Sequence, residues 1–142
     1  MACTKIIANS FIKKYSTNEQ PLNKAGLYSL VLHAHGWHMV HTGKKLIHDK
    51  IVWNNIGVVI PILESGFYQR SRTPDYYAVN YGVLNKSTKI LLECVYQSYK
   101  HLTMDQLSST AKHADSPWAH RATHNGKREI TENDIRKICS GY

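Results

Sequence analysis

The nine histidines of this 142-residue chain make metal binding or acid–base catalysis the first chemistry to consider. Four of them lie in one short segment: His33, His35, His38 and His41. The pairs His35/His38 and His38/His41 are each three residues apart, so each pair can share a helix face. Zinc needs three or four ligands with supporting hydrogen bonds, and no cysteine or acidic residue lies close in sequence to complete the set. We therefore expect no metal ion and interpret the histidines as amphipathic side chains at the rim of a packed helix.

Other catalytic patterns are weaker still. The three cysteines, Cys3, Cys94 and Cys139, are far apart and odd in number, so they give neither a paired metal spacing nor a disulfide framework. Cys94 lies in an apolar run and is expected to pack as a small hydrophobic side chain. The chain contains no nucleophile elbow, no glycine-rich phosphate loop and no suggestive pair of acidic residues. The sequence thus predicts no catalytic residue, no cofactor and no enzyme.

A stretch rich in tyrosine and arginine is the best candidate for a binding surface. Residues 69–86 have the composition of an irregular exposed loop, and five of its side chains are expected to contact a partner: Arg70, Arg72, Tyr76, Tyr77 and Tyr81. Such side chains can stack on bases and contact phosphates, and they are equally favoured as anchors in protein interfaces. The formal net charge of +8 favours an anionic partner, either nucleic acid or an acidic protein. Because the charges are scattered, a merely solvated surface is a third interpretation.

The elements that must position these residues are mostly helical. The spacing of Ile7, Phe11 and Tyr15 predicts a first helix, with one side of it facing the core. Residues 22–42 are apolar on nearly every side, which is typical of a central helix covered by others, and Gly43 is placed to end it. Short β-branched runs with turn residues between them predict a strand pair around residues 45–60.

Further helix starts are indicated by capping patterns. They are expected at Pro61, Ser87, Thr103 with Gln106, Ser116–Pro117 and Thr131. The sequence therefore predicts a mainly α, compact domain of five to seven helices, with a short β-hairpin-like element around residues 45–60. We expect a single domain over residues 4–138. No apolar run approaches the ~20 residues that span a bilayer, and the N-terminus lacks a secretory signal, so we expect a cytoplasmic protein without membrane contact.

Three blocks of residues, in a fixed order, carry a family resemblance. The first block is Ala34-His35-Gly36-Trp37-His38, and the second joins Leu46-Ile47 with Val52-Trp53, Gly57-Val58-Val59 and Pro61. The third runs from Leu91 through His113 and Asp115-Ser116-Pro117-Trp118 to Ile135. In their order and approximate spacing these blocks resemble the Panacea domain of bacteria and their phages. Two positions depart from that family, since Val58 stands where it usually has proline and His33 where it usually has an aromatic residue.

The resemblance implies an antitoxin that binds its cognate toxin directly and blocks it. Because many members of the family lie in phage and mobile-element genes, a counter-defence or regulatory role in a bacterial or phage-infected cell is also open. Nucleic acid, bound through the basic loop, and a homodimer remain alternative partners. We interpret the matching motif residues as structural: Gly36, Trp37, Trp53, Gly57, His113, Ser116, Pro117 and Trp118.

Overall fold

The computed structural model describes residues 4–16, 22–54, 57–67, 84–111 and 127–129. Most of them lie in four α-helices: α1 (Thr4–Tyr15), α2 (Lys24–Thr42), α3 (Lys86–Tyr99) and α4 (Met104–Ala111). A 3-10 helix (Pro61–Phe67) begins at the predicted proline. The described part of the chain is therefore mostly helical, as predicted. The expected starts at Ser116–Pro117 and Thr131 lie outside the described residues, so the count of five to seven helices stays a prediction.

The first helix, α1, buries the stripe that the sequence predicts. Ile7, Phe11 and Tyr15 are buried, and Lys13 is exposed on the other side. A fully buried side chain of the size of Phe11 contributes about 1.5–3 kcal/mol to stability. Lys14 forms an ion pair with Glu93 of α3, which adds little because the Glu93 side chain is largely exposed. The burial of its apolar stripe, more than this ion pair, therefore holds α1 in place.

The second helix, α2, is the central element. Eleven of its nineteen residues are buried, and it contacts α1, α3, α4 and one strand. Asn23 caps its start, because its side-chain oxygen accepts a hydrogen bond from the Gly26 N–H at 2.8 Å. Gly43 ends it in the left-handed conformation at φ 72° and donates its N–H to the Met39 carbonyl at 2.8 Å. The predicted central helix and its glycine end are confirmed.

The third helix, α3, differs from the sequence prediction in two respects. Its N-cap is Asn85 rather than Ser87, and the Asn85 side chain accepts a hydrogen bond from the Thr88 N–H at 2.8 Å. The expectation that Cys94 packs inside the protein is wrong, because Cys94 is exposed. Leu92 and Val95 fill the core side of the helix, and the 3.6-residue period then turns Cys94 towards solvent.

The fourth helix, α4, begins with the predicted capping box. The Thr103 hydroxyl accepts the Gln106 N–H at 3.1 Å, and the Gln106 side chain accepts the Thr103 N–H at 2.9 Å. Leu107 is fully buried, and the helix packs against α2. The approach is close, because a Cβ atom at Gly26 would lie 2.6 Å from the Met104 sulfur. The missing side chain of Gly26 therefore makes room for the start of α4.

Three short strands are described: β1 (Val52–Asn54), β2 (Gly57–Val59) and β3 (Lys127–Glu129). They form an antiparallel sheet in the order β2-β1-β3. In β1, the backbone of Trp53 pairs with Val58 of β2 and with Arg128 of β3. β1 and β2 lie where the sequence predicts a strand pair. Residues 55–56 between them lie outside the described residues, so the hairpin turn stays a prediction. β3 is not predicted, because Lys127-Arg128-Glu129 has no apolar alternation.

The hydroxyl of Tyr15 is an unusual feature of the core. Tyr15 is 3% exposed, and its ring meets that of Tyr96 edge to face at a centroid distance of 5.1 Å. Within the described part of the chain, this buried hydroxyl has no hydrogen-bond partner. Burial, with a smaller contribution from Tyr96, raises the pKa of Tyr15 to about 12. Burial therefore makes ionisation of the hydroxyl still less favourable, and no residue of the described ranges compensates the loss of its hydration.

We expect Tyr15→Phe to raise the free energy of unfolding by about 1 kcal/mol, because a buried hydroxyl without a partner costs about 1–3 kcal/mol. Chemical denaturation at neutral pH measures the change. Tyr28→Phe is the matched control, since the Tyr28 hydroxyl donates to Glu64 at 2.5 Å and its loss should lower stability. A Tyr15→Phe protein less stable than the wild type would show that the hydroxyl has a stabilising partner.

Candidate functional site

Several residues that the sequence singles out lie beyond the described ranges. These are the loop residues Arg70, Arg72, Tyr76, Tyr77 and Tyr81, and the motif residues His113, Ser116, Pro117 and Trp118. Their expected roles stay predictions. Of the predicted loop at 69–86, only residues 84–86 are described, and they form the start of α3. The remaining motif residues lie in α2, at Gly36 and Trp37, and in the sheet, at Trp53 and Gly57.

The four clustered histidines have separate environments. His38 is half-buried, and its Nδ1 forms a hydrogen bond with the Lys44 carbonyl at 2.8 Å. His41 is exposed in the last turn of α2. In the ranges that the structure describes, no three His, Cys, Asp or Glu side chains are grouped so as to hold a metal ion. In contrast to His38 and His41, His33 stacks on an aromatic ring and His35 lies in the buried interior.

His35 lies in the interior rather than at the rim where the sequence placed it. It is 4% exposed, and its Nδ1 accepts the backbone N–H of Leu46 at 3.3 Å and that of Ile47 at 3.4 Å. Because a backbone N–H can only donate, Nδ1 must be unprotonated, and a neutral ring carries its proton on Nε2. Leu46 and Ile47 are themselves buried. His35 therefore acts as an acceptor that joins α2 to the segment leading into the sheet.

Three half-buried rings form an aromatic cluster between α2 and α3, made of His33, Trp37 and Tyr99. The rings of His33 and Tyr99 are stacked at a centroid distance of 4.7 Å and an interplanar angle of 21°. The Trp37 ring is tilted by 53° against Tyr99 at 6.2 Å. Burial lowers the pKa of His33 to about 4, so the imidazole is neutral at pH 7. The cluster is thus uncharged, and each ring limits the motion of its neighbour.

Val40 and His41 extend the cluster along the same side of α2. Positions 33, 37, 40 and 41 are spaced by three and four residues and therefore share one helix face. The side chain of Val40 is 50% exposed. Ile62 and Ile90 are the other large hydrophobic residues of the described ranges that are exposed. We call the aromatic cluster together with Val40 and His41 the α2 face. It offers a partner an apolar and aromatic surface on two packed helices.

The α2 helix contains no acidic residue, whereas α3, which carries Tyr99, contains Glu93 in an ion pair with Lys14. Asp and Glu are absent from residues 22–48 and from residues 94–104. Lys44 and Lys45 follow the end of α2 and are exposed, and Lys100 and His101 follow Tyr99 directly. The hydrogen bond between the Lys44 carbonyl and His38 places that segment on the side of α2 away from Val40, so the face itself is apolar and aromatic.

Sequence reasoning did not find this face, because its rings come from two helices that are far apart in the chain. The available signal was the helical spacing of His33, Trp37, Val40 and His41, which places two histidines, a tryptophan and a valine on one side of a helix. Comparison of the chain with known protein families, with curated proteins and with solved structures finds no match. None of the described helices is long and apolar enough to cross a membrane.

Proposed function

We propose that the chain is a non-enzymatic, antitoxin-like protein that binds a toxin directly and blocks its action in the cytoplasm. The resemblance of its three sequence blocks to the Panacea domain is the reason for naming a toxin as the partner. The observation that carries the proposal is the α2 face, where Trp37 and Tyr99 lie half-buried beside the exposed Val40. Tryptophan and tyrosine are the residues most often found as energetic anchors of protein interfaces.

The inhibition is proposed to be steric. A specific interface of ordinary size buries about 1,600 Å² in total, about 800 Å² of it on each partner. A protein that covers such an area blocks the toxin without chemistry of its own. Rings that are already packed, as His33 and Tyr99 are by stacking, lose little conformational freedom on binding. The α2 face is suited to this role because its helices hold it in place before the partner arrives.

A second candidate is a phage or mobile-element counter-defence or regulatory protein that contacts nucleic acid. The net charge of +8 favours it, and the contacts would come from Arg70, Arg72 and the tyrosines of the same loop. Salt separates the two candidates. Binding to phosphates weakens steeply as the salt concentration rises, whereas an interface centred on apolar and aromatic residues weakens little.

Co-expression with each neighbouring gene tests the proposed function. We expect one small neighbouring reading frame to stop growth when expressed alone, and we expect this chain to restore growth and to co-purify with the product. A Leu107→Asp variant is the control for folding, because Leu107 is fully buried and a charge there should unfold the protein. Failure to restore growth against every neighbour would contradict the antitoxin proposal.

A further inference from the structure

We propose that His35 and His38 form a pH-dependent clasp that holds the segment following α2. Uptake of a proton by His35 releases Leu46 and Ile47 from the helix. The bond between His38 and Lys44 persists. The clasp consists of the two imidazoles and the backbone groups of these three segment residues. It is a conformational device of the fold and is independent of the proposed toxin and of the α2 face.

The two histidines bind the segment with opposite polarity. They are three residues apart on one side of α2, and both use Nδ1. The Nδ1 atom of His35 accepts the N–H groups of Leu46 at 3.3 Å and of Ile47 at 3.4 Å. The Nδ1 atom of His38 lies 2.8 Å from the Lys44 carbonyl, which can only accept, so this nitrogen carries a proton. The neutral rings therefore differ in tautomer, with the proton on Nε2 in His35 and on Nδ1 in His38.

Thr42 supports the assignment at His38. The Thr42 hydroxyl donates to the His38 carbonyl at 2.7 Å, and its oxygen accepts the Lys44 N–H at 3.1 Å. The same oxygen lies 3.2 Å from the Nδ1 atom of His38. Because the hydroxyl proton is directed to the carbonyl, the ring must donate in this contact. Two acceptors thus surround the Nδ1 proton of His38.

Acid acts on the two rings in opposite ways. A protonated imidazole carries a proton on both nitrogens and accepts no hydrogen bond. At His35, a proton on Nδ1 would face the N–H groups of Leu46 and Ile47, so both bonds are lost and donor opposes donor. At His38, the protonated ring still donates from Nδ1, and its charge strengthens the bond to a carbonyl. Acid therefore opens the inner bonds of the clasp and keeps the outer one.

The release is local, because the chain beyond the clasp has other attachments. The Asp49 carboxylate accepts the Thr4 hydroxyl of α1 at 2.5 Å. Further on, Ile51 is buried in the core and β2 contacts α2. Leu46 and Ile47 are 2% and 1% exposed, so their release exposes two aliphatic side chains in front of the sheet. The attachment of this segment to α2 thus becomes dependent on pH.

Other groups that titrate in acid surround the clasp. On the helices and on residues 44–50, the exposed ones are His41, His48, Glu93, His101 and Asp105. The partly buried ones are stacked or hydrogen-bonded: His33 on Tyr99, Asp49 to Thr4 and Glu64 to Tyr28. Lys44 and Lys45 stay charged throughout the acid range. A substitution at His35 leaves all of these groups in place, so it separates the contribution of His35 from theirs.

The tautomers are measured in the wild-type protein by nitrogen-15 NMR of the imidazole rings at neutral pH. We expect the proton on Nε2 in His35 and on Nδ1 in His38. A proton on Nδ1 of His35, or a bare Nδ1 in His38, would overturn the inference. This measurement needs no variant and therefore does not depend on whether a substitution at a buried position folds.

The release is followed in the same protein from about pH 8 to about pH 4, the range in which histidines take up protons. The amide proton signals of Leu46 and Ile47 should move upfield as the His35 ring titrates. Since one event causes both changes, their midpoints should agree within about twofold in proton concentration. Amide signals that stay constant while the ring titrates, or a ring that stays neutral until the protein unfolds, would contradict the clasp.

Two matched variants assign the effect to one ring. His35→Asn keeps an acceptor that takes up no proton in this range, and it should abolish the titration of the Leu46 and Ile47 amides. His38→Asn makes the same change at the other histidine, and the midpoint for these amides should stay within about twofold of the wild type. An amide titration that persists in His35→Asn, or that disappears in His38→Asn, would show that another group controls the segment.

Discussion

Replacement of His35 by leucine is expected to lower the free energy of unfolding by about 2–4 kcal/mol. Leucine fills a similar volume but offers no acceptor to the N–H groups of Leu46 and Ile47, which now donate to Nδ1 at 3.3 and 3.4 Å. Both residues are at most 2% exposed, so water does not readily replace the lost acceptor. A buried donor left without a partner costs about 1–3 kcal/mol. Urea denaturation at neutral pH measures the effect.

Two further variants assign the effect to the acceptor. His35→Asn keeps an acceptor atom at the δ position and should recover part of the loss, although the smaller side chain leaves a cavity. His41→Leu makes the same replacement at an exposed position of α2 and should change stability by no more than about 0.5 kcal/mol. A His35→Leu protein as stable as the wild type would mean that the two N–H groups do not depend on the ring.

The features of the fold that the sequence predicts well depend on neighbouring residues. The buried stripe of α1, the capping box at Thr103 and Gln106, and the glycine end of α2 each involve residues within four positions of one another. The N-cap of α3 lies at Asn85, two residues before the predicted Ser87, because asparagine and serine are nearly equally good N-caps. The choice between them depends on which face of α3 the rest of the protein covers.

The features that the sequence does not predict depend on distant partners. The strand β3 exists because Arg128 pairs with Trp53, and its own residues carry no strand pattern. The exposure of Cys94 follows from the rotation that buries Leu92 and Val95. The apolar composition of α2 indicates that it is covered, but it does not indicate which side stays partly open. That side, with Trp37 against Tyr99, is the candidate site, and only the packing of α2 on α3 defines it.

Stability is expected to fall as the pH is lowered from about 6.5 to about 4, and His33 should cause a large part of the loss. Burial lowers the pKa of His33 from 6.5 to about 4 in the folded protein. Between these values the unfolded chain binds a proton that the folded protein does not, so acid favours unfolding. Above pH 6.5 both states are neutral, and His33 adds no pH dependence. Each pH unit corresponds to about 1.4 kcal/mol, and since the ring is partly exposed we expect a total of about 2 kcal/mol.

His33→Phe isolates this effect, because phenylalanine can keep the stack on Tyr99 and cannot bind a proton. Unfolding curves between pH 7 and pH 4 should show a flatter profile for this variant, while His41→Phe, which removes an exposed imidazole, should keep the wild-type slope. Glu93, whose pKa is lowered by its hydrogen bonds to Gln97 and Lys14, affects all three proteins alike and only at the acidic end. Parallel profiles for His33→Phe and the wild type would place the acid-sensitive group elsewhere. A flatter profile for His33→Phe than for the wild type would show that His33, at the centre of the α2 face, stays neutral because the fold excludes the proton.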